Sequence, residues 1–187
     1  MNRLFKPSLN LLVKSSPNLP TGFSWVYCLL LLLMSLTSLA QPPLDSVQLK
    51  PLRGALVSYA SVTKNNPIVL ICFWSSNIES SVNELNAIST QYDKWKQAAS
   101  FKLMAICIDE GNILNRMRPT AIMNGWTFDV YGDINGDLQR IFPAPNLPES
   151  MILKNGQVVY QQAGFQTGSE NYLFTKIKSL APPGSKP

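Results

Sequence analysis

The sequence predicts an α/β domain in three layers, with helices on both faces of a central mixed sheet and an N-terminal hairpin. Three observations carry this expectation. Two apolar runs, PIVLICFW (67–74) and FKLMAICID (101–109), are continuous rather than alternating, which suits strands buried on both faces of a mainly parallel sheet. Between them Val82, Leu85, Ile88, Tyr92 and Trp95 recur at spacings of three and four, making one apolar helical face. Asn155-Gly156 divides SMILKNGQVVYQQAG (150–164), and that dipeptide is the strongest short hairpin signal. Strands 67–74 and 101–109 should therefore lie parallel and adjacent, with 150–154 antiparallel in the same sheet.

The elements follow in chain order. Ser46–Tyr59 reads as a short hairpin with Gly54 at or near its turn. Strand 67–74 comes next, then a helix over 82–96 whose start is ambiguous between Ser76 and Ser81. Both Ser76-Asn77-Ile78-Glu79 and Ser81-Val82-Asn83-Glu84 fit a capping box, in which a Ser oxygen bonds forward and a Glu reaches back. Strand 101–109 ends at Asp109. Ile113 to Asn124 is a poorer helix, disturbed by Pro119. WTFDVYGD (126–133) is a strand, Gly136 to Phe142 a short helical turn, and Glu170 to Leu180 a closing helix. Residues 181–187, APPGSKP, contain nothing to order them and are expected to form a disordered tail.

At 187 residues and 45% hydrophobic content the chain has room for one globular domain beyond any targeting segment. Its formal charge is +5, but Arg3, Lys6 and Lys14 stand in the first forty residues without an acid. Residues 41–187 hold 13 basic against 11 acidic residues. No Lys/Arg cluster with interleaved aromatics occurs, so nucleic acid is not an expected partner. Histidine is absent, which removes the commonest general base and the commonest metal ligand; no metal and no cofactor is expected. Asp133-Ile-Asn135-Gly-Asp137 imitates a calcium loop, but Gly136 falls fourth instead of sixth and Ala144 occupies the twelfth place. A turn explains it better.

Residues 1–40 read as an export segment. Three basic residues precede an apolar run from Phe23 to Leu39, and Ser38 and Ala40 are small enough for cleavage after Ala40. The same run, 23–39, is just long enough to anchor the chain in a bilayer if left uncut. Either outcome places the domain, 41–180, outside the cytoplasm, in the periplasm or cell envelope. Cys28 lies within the run and is not placed for a lipoprotein anchor. Cys72 and Cys107 sit one in each buried strand. A disulfide between them is open in an oxidising compartment, but adjacent strands rarely offer the geometry, and two free buried thiols are the expectation.

Phe73-Trp74 ends the first buried strand, Glu84-Leu85 opens the helix after it, and Pro148 opens the later strand of LPESMILKNGQVVY. With these at their spacing, Leu44 to Leu180 resembles the exported thioredoxin-like proteins of the TlpA kind, a branch of the thiol–disulfide oxidoreductases. The resemblance implies a thioredoxin-like three-layer fold, a cis proline at Pro148, and a Trp-Cys-x-x-Cys motif after the first strand. Counted from Trp74, that motif's cysteines fall on Ile78 and Ser81, and its tryptophan on Asn77. Cys72 falls where thioredoxins often hold a buried acid.

A dithiol cycle needs a thiolate at the helix start and a second thiol one turn on. Ile78 has no ionisable atom, and Ser81 cannot form a disulfide. Glu79 and Ser81 fit ordinary helix-start chemistry. The resemblance implies a seat for extended peptide where Trp74, Asn77, Ile78 and the Leu147-Pro148 loop converge; a structural proline in a loop already rich in them is the alternative for Pro148. Two functions of different class follow. One is a non-catalytic thioredoxin-fold protein that binds a protein or peptide partner in the envelope, touching membrane only through 23–39. The other is a redoxin acting unconventionally through Cys72 or Cys107.

Overall fold

The computed structural model describes residues 43–181. The export segment and all but the first residue of the predicted tail lie outside them. Among the described residues no helix is long and apolar enough to cross a membrane.

A 3-10 turn at Leu44–Ser46 leads into a small hairpin, β1 (Gln48–Pro51) and β2 (Val57–Ser58). These pair antiparallel, with Gln48 opposite Ser58, around Gly54 at φ +90°. The expected hairpin over Ser46–Tyr59 is thus present, but Tyr59 opens a short helix, α1 (Tyr59–Thr63), that the strand pattern conceals. Ser58 caps it: its side chain accepts from the Ser61 backbone N–H at 3.2 Å.

β3 (Ile68–Trp74) is central and wholly buried. It runs parallel to β4 (Lys102–Cys107), with Cys72 opposite Ala105, and antiparallel to β6 (Glu149–Lys154), with Phe73 opposite Glu149. β5 (Asp129–Gly132) lies parallel to β4, and β7 (Gln157–Ala163) closes the hairpin through Asn155 (φ +51°) and Gly156 (φ +80°). Two successive positive φ values are what a tight two-residue hairpin turn requires, hence Asn-Gly. The sheet order is β2-β1-β5-β4-β3-β6-β7, a mixed sheet of seven strands. Strand 126–133 is shorter than expected: the Trp126 N–H is taken by the Ala121 carbonyl of the preceding helix at 3.2 Å, and the ladder starts at Asp129.

The continuous apolar runs are explained by two cores. Ile68, Leu70, Cys72 and Trp74 face a layer containing α2 (Glu79–Ala98), α3 (Leu114–Met123) and α5 (Glu170–Leu180). Val69, Ile71 and Phe73 face Val47, Leu49, α1 and α4 (Asp137–Ile141) on the other side. Alternate residues of β3 thus point to opposite faces, and both faces are covered. α2 uses the predicted face, with Leu85, Ile88 and Trp95 fully buried. Trp95 stacks on Phe174 of α5 at 5.1 Å, and Trp126 Nε1 donates to Asn86 Oδ1 at 2.7 Å. Truncating an aromatic so placed costs about 3–5 kcal/mol. α3 forms despite Pro119 in its interior and buries only Met117 and Ala121.

Candidate functional site

The site stands beyond the C-terminal end of β3, where ligands gather in open α/β sheets. Because Phe73 pairs with Glu149, the chain leaving β3 at Trp74 passes beside the chain entering β6 at Leu147-Pro148. That peptide bond is cis. The Pro148 carbonyl accepts from the Gly164 N–H at 2.7 Å, whereas the N–H and C=O of half-buried Leu147 make no hydrogen bond among the described residues. Pro148 itself is buried.

The turn between β3 and α2 is fixed by Asp109, just past the end of β4. Its carboxylate accepts from Ser75 Oγ at 2.5 Å, from the Ser76 N–H at 3.1 Å and from Ser76 Oγ. Ser75 Oγ in turn accepts from the Asn77 N–H at 3.2 Å. Neither expected capping box forms. Ser76 is drawn to Asp109, and Ile78 is the N-cap residue, extended at φ −113°, with no side-chain cap. Glu79 begins the helix on an exposed face, favourable beside the unpaired N–H groups of its first turn. Ser81 lies inside the helix and cannot cap it.

Exposure divides the predicted residues. Asn77 is exposed and Ile78 is 36% exposed. Trp74, expected at the peptide seat, is fully buried and meets Trp126 edge-on at 5.0 Å. Its side chain is therefore not available to a ligand at the surface. Ser81 is fully buried as well, with an Oγ that has no hydrogen-bond partner.

Beneath the helix start lies a group that the sequence pattern does not reveal. Glu84, fully buried, takes one hydrogen bond at Oε2 from Ser150 Oγ at 3.1 Å, and its Oε1 has none. Burial raises its pKa from 4.5 to about 7; the Ser150 bond opposes the rise and the charge of Glu170 adds to it. Burial, and then Glu84, push the Cys72 thiol well above its ordinary value. Burial also raises Cys107, to about 12. Both cysteines are free and 0% exposed, as two small apolar groups in strands would be. Their registers differ by two residues, since Cys107 stands opposite Trp74.

Both thiols are buried, Ser81 and Glu84 are not bonded to each other, and no group of three or more His, Cys, Asp or Glu that could hold a metal occurs among the described residues. Asp133 serves the turn before α4: its Oδ2 accepts from the Gln139 N–H at 2.8 Å, and Gly136 takes φ +65°.

No protein-family model matches the chain, and no curated protein does. Solved structures do. An uncharacterized thioredoxin-like protein from Porphyromonas gingivalis is 32% identical, with a TM-score of 0.64 over 78% of this chain and 94% of that one. The chain belongs to the thioredoxin-like family. StoA from Bacillus subtilis matches at 20% identity, over 71% of this chain and 99% of that one, with a TM-score of 0.57. A putative thiol:disulfide interchange protein DsbE from Chlorobium tepidum also matches at 20%, over 75% and 98%, with a TM-score of 0.59; at this identity the likeness shows the fold. In this thioredoxin-like protein the two residues that open α2 toward solvent, Asn77 and Ile78, stand on a turn held by Asp109. No cysteine lies anywhere between Trp74 and the end of α2.

Proposed function

We propose that this protein is a TlpA-like, redox-site-degenerate member of the thioredoxin-like family. It works in the cell envelope, exported by residues 1–40, and binds an extended polypeptide without dithiol chemistry. The observation that carries this reading is the pairing of Ile78 and Ser81 at the helix start with two thiols that are 0% exposed. A redox cysteine must be reached by its substrate and must ionise; burial denies Cys72 and Cys107 both. What supports the seat is a partly exposed apolar side chain at Ile78 and, on the chain entering β6, the unpaired backbone of Leu147. An extended peptide satisfies that backbone by pairing with it and covers Ile78.

The test uses reduced, carboxymethylated α-lactalbumin, an unfolded polypeptide whose thiols are blocked. Saturable binding by fluorescence anisotropy is expected, insensitive to reductant. Covering the exposed part of an Ile side chain contributes on the order of 1 kcal/mol or more, so Ile78→Lys should weaken binding about tenfold. The melting temperature should stay unchanged. Binding that disappears with reductant, or that Ile78→Lys leaves intact, removes this seat.

A further inference from the structure

The opposite end of the sheet, where β3 begins and the β6–β7 hairpin turns, carries an open cleft of about 460 Å³. That volume lies within the roughly 300–1,000 Å³ of small-molecule sites. Val69, Pro67 and Leu44 supply an apolar part of its wall. Tyr59 lines it while only 4% exposed, and the Tyr59 hydroxyl makes no hydrogen bond among the described residues. The hydroxyl oxygen is not among the side-chain atoms sealed from solvent, so it is free to donate to a ligand in the cleft. Asp45, also on the cleft wall, acts electrostatically on that hydroxyl: burial and then Asp45 raise its pKa to about 12. The hydroxyl therefore remains a donor at any physiological pH.

Three further polar side chains on the wall are uncommitted. Asp45, Asn65 and Asn155 make no side-chain hydrogen bond among the described residues, whereas Asn66 Nδ2 is occupied by the Lys64 carbonyl. Their chemistry restricts the ligand. No Lys or Arg is among the residues lining the cleft, so nothing there balances a phosphate or carboxylate. A single carboxylate does not hold a metal ion. An extended peptide needs a free strand edge, and β3 is paired on both sides. Two amides, each donor and acceptor, with one carboxylate and one phenol donor, match adjacent hydroxyl groups, while the apolar wall suits the C–H face of a sugar ring.

We propose that this cleft, lined by Asp45, Tyr59, Asn65 and Asn155, binds a neutral saccharide. It is independent of the polypeptide seat at Ile78, at the other end of the sheet.

The experiment titrates the purified full chain, in a detergent without a sugar headgroup, with maltotriose, cellotriose and triacetylchitotriose, followed by saturation-transfer NMR. At least one should bind saturably, with a dissociation constant at or below about 1 mM. Asn65 and Asn155 have φ values of +66° and +51°, so Asn65→Gly and Asn155→Gly remove the amides without backbone strain. Tyr59→Phe removes only the hydroxyl. Each variant, and Asp45→Ala, should weaken binding by about fivefold or more while the fold persists by circular dichroism. Absence of binding by all three trisaccharides up to about 10 mM, or binding unchanged in Tyr59→Phe and Asp45→Ala, overturns the proposal.

Discussion

Replacing Glu84 by Gln should stabilise the protein, and by an amount that depends on pH. The Glu84 carboxyl is raised from 4.5 to about 7, chiefly by burial, so the folded state holds this proton more tightly than the unfolded chain does. Between pH 4.5 and 7 the native protein binds more protons, and stability therefore falls as pH rises through that window. Below it the contribution is neutral; above it the full cost of burying the charge is present. A shift of about 2.5 units at 1.36 kcal/mol each amounts to about 3 kcal/mol at pH 8 and less than about 1 kcal/mol at pH 5. Glutamine keeps an oxygen to accept from Ser150 Oγ, as Glu84 does at 3.1 Å, and carries no charge. The protonated acid and the amide both leave one polar end unpaired, so they should be nearly equivalent at low pH. Urea denaturation at pH 5 and pH 8 is the assay. The wild type should lose about 2–3 kcal/mol between the two, and the variant should not; its melting temperature at pH 8 should exceed the wild type's by roughly 10 °C. A wild-type stability that is flat from pH 5 to pH 8, or a variant equally stabilised at both, refutes the reasoning, because ionisation would then not be the cause.

Two further outcomes follow from the same end of the sheet. Restoring thiols with Ile78→Cys and Ser81→Cys should produce reduction of insulin above the rate of dithiothreitol alone, while the wild type adds nothing to it. A folded double variant that stays inert would mean that more than the thiols has been lost. Asp109→Asn should cost about 2–3 kcal/mol in urea denaturation at pH 7, because the carboxylate accepts charge-assisted bonds from Ser75 Oγ, the Ser76 N–H and Ser76 Oγ. A change below about 0.5 kcal/mol would show that Asp109 does not hold the turn.

Most of the sheet is legible in the sequence, since a strand buried on both faces has to be apolar throughout and β3 and β4 are. The apolar face of α2 and the Asn155-Gly156 turn are equally local signals. What escapes is whatever depends on distant partners. Ser76 satisfies a capping pattern four residues long, yet its side chain turns to a carboxylate 33 residues away; charge-assisted bonding to Asp109 outweighs a local cap. α1 is hidden because Tyr59–Thr63 extends a strand-like stretch, and only the Ser58 cap marks its start. Trp74 looks like a surface aromatic by its place before the turn, but Trp126 and the apolar underside of α2 enclose it. Glu84 reads as half of a helix-opening pair, and nothing in its neighbours announces that its carboxyl points inward to Ser150.

The distribution of satisfied and unsatisfied polar groups supports the proposed reading of this end of the molecule as a binding site. Trp74 Nε1, Ser81 Oγ and Glu84 Oε1 are all buried without a partner, and such groups cost about 1–3 kcal/mol each. All three belong to β3 or to the first turns of α2, so the interior beneath the helix start is polar. A nucleophile there would need both access and a positioned base, and it has neither. The backbone of Ser75 to Asn77, by contrast, is held at several points by Asp109 and Ser75. Ile78 is thus presented on a pinned turn, and the proposed seat sets it with the unpaired backbone of Leu147. A ligand that covers Ile78 in that seat meets a turn already ordered, so less conformational entropy is lost on association. Under this reading, loosening the turn with Asp109→Asn should weaken polypeptide binding even though Asp109 is itself buried, whereas Glu84→Gln, which acts below the turn, should leave that binding unchanged.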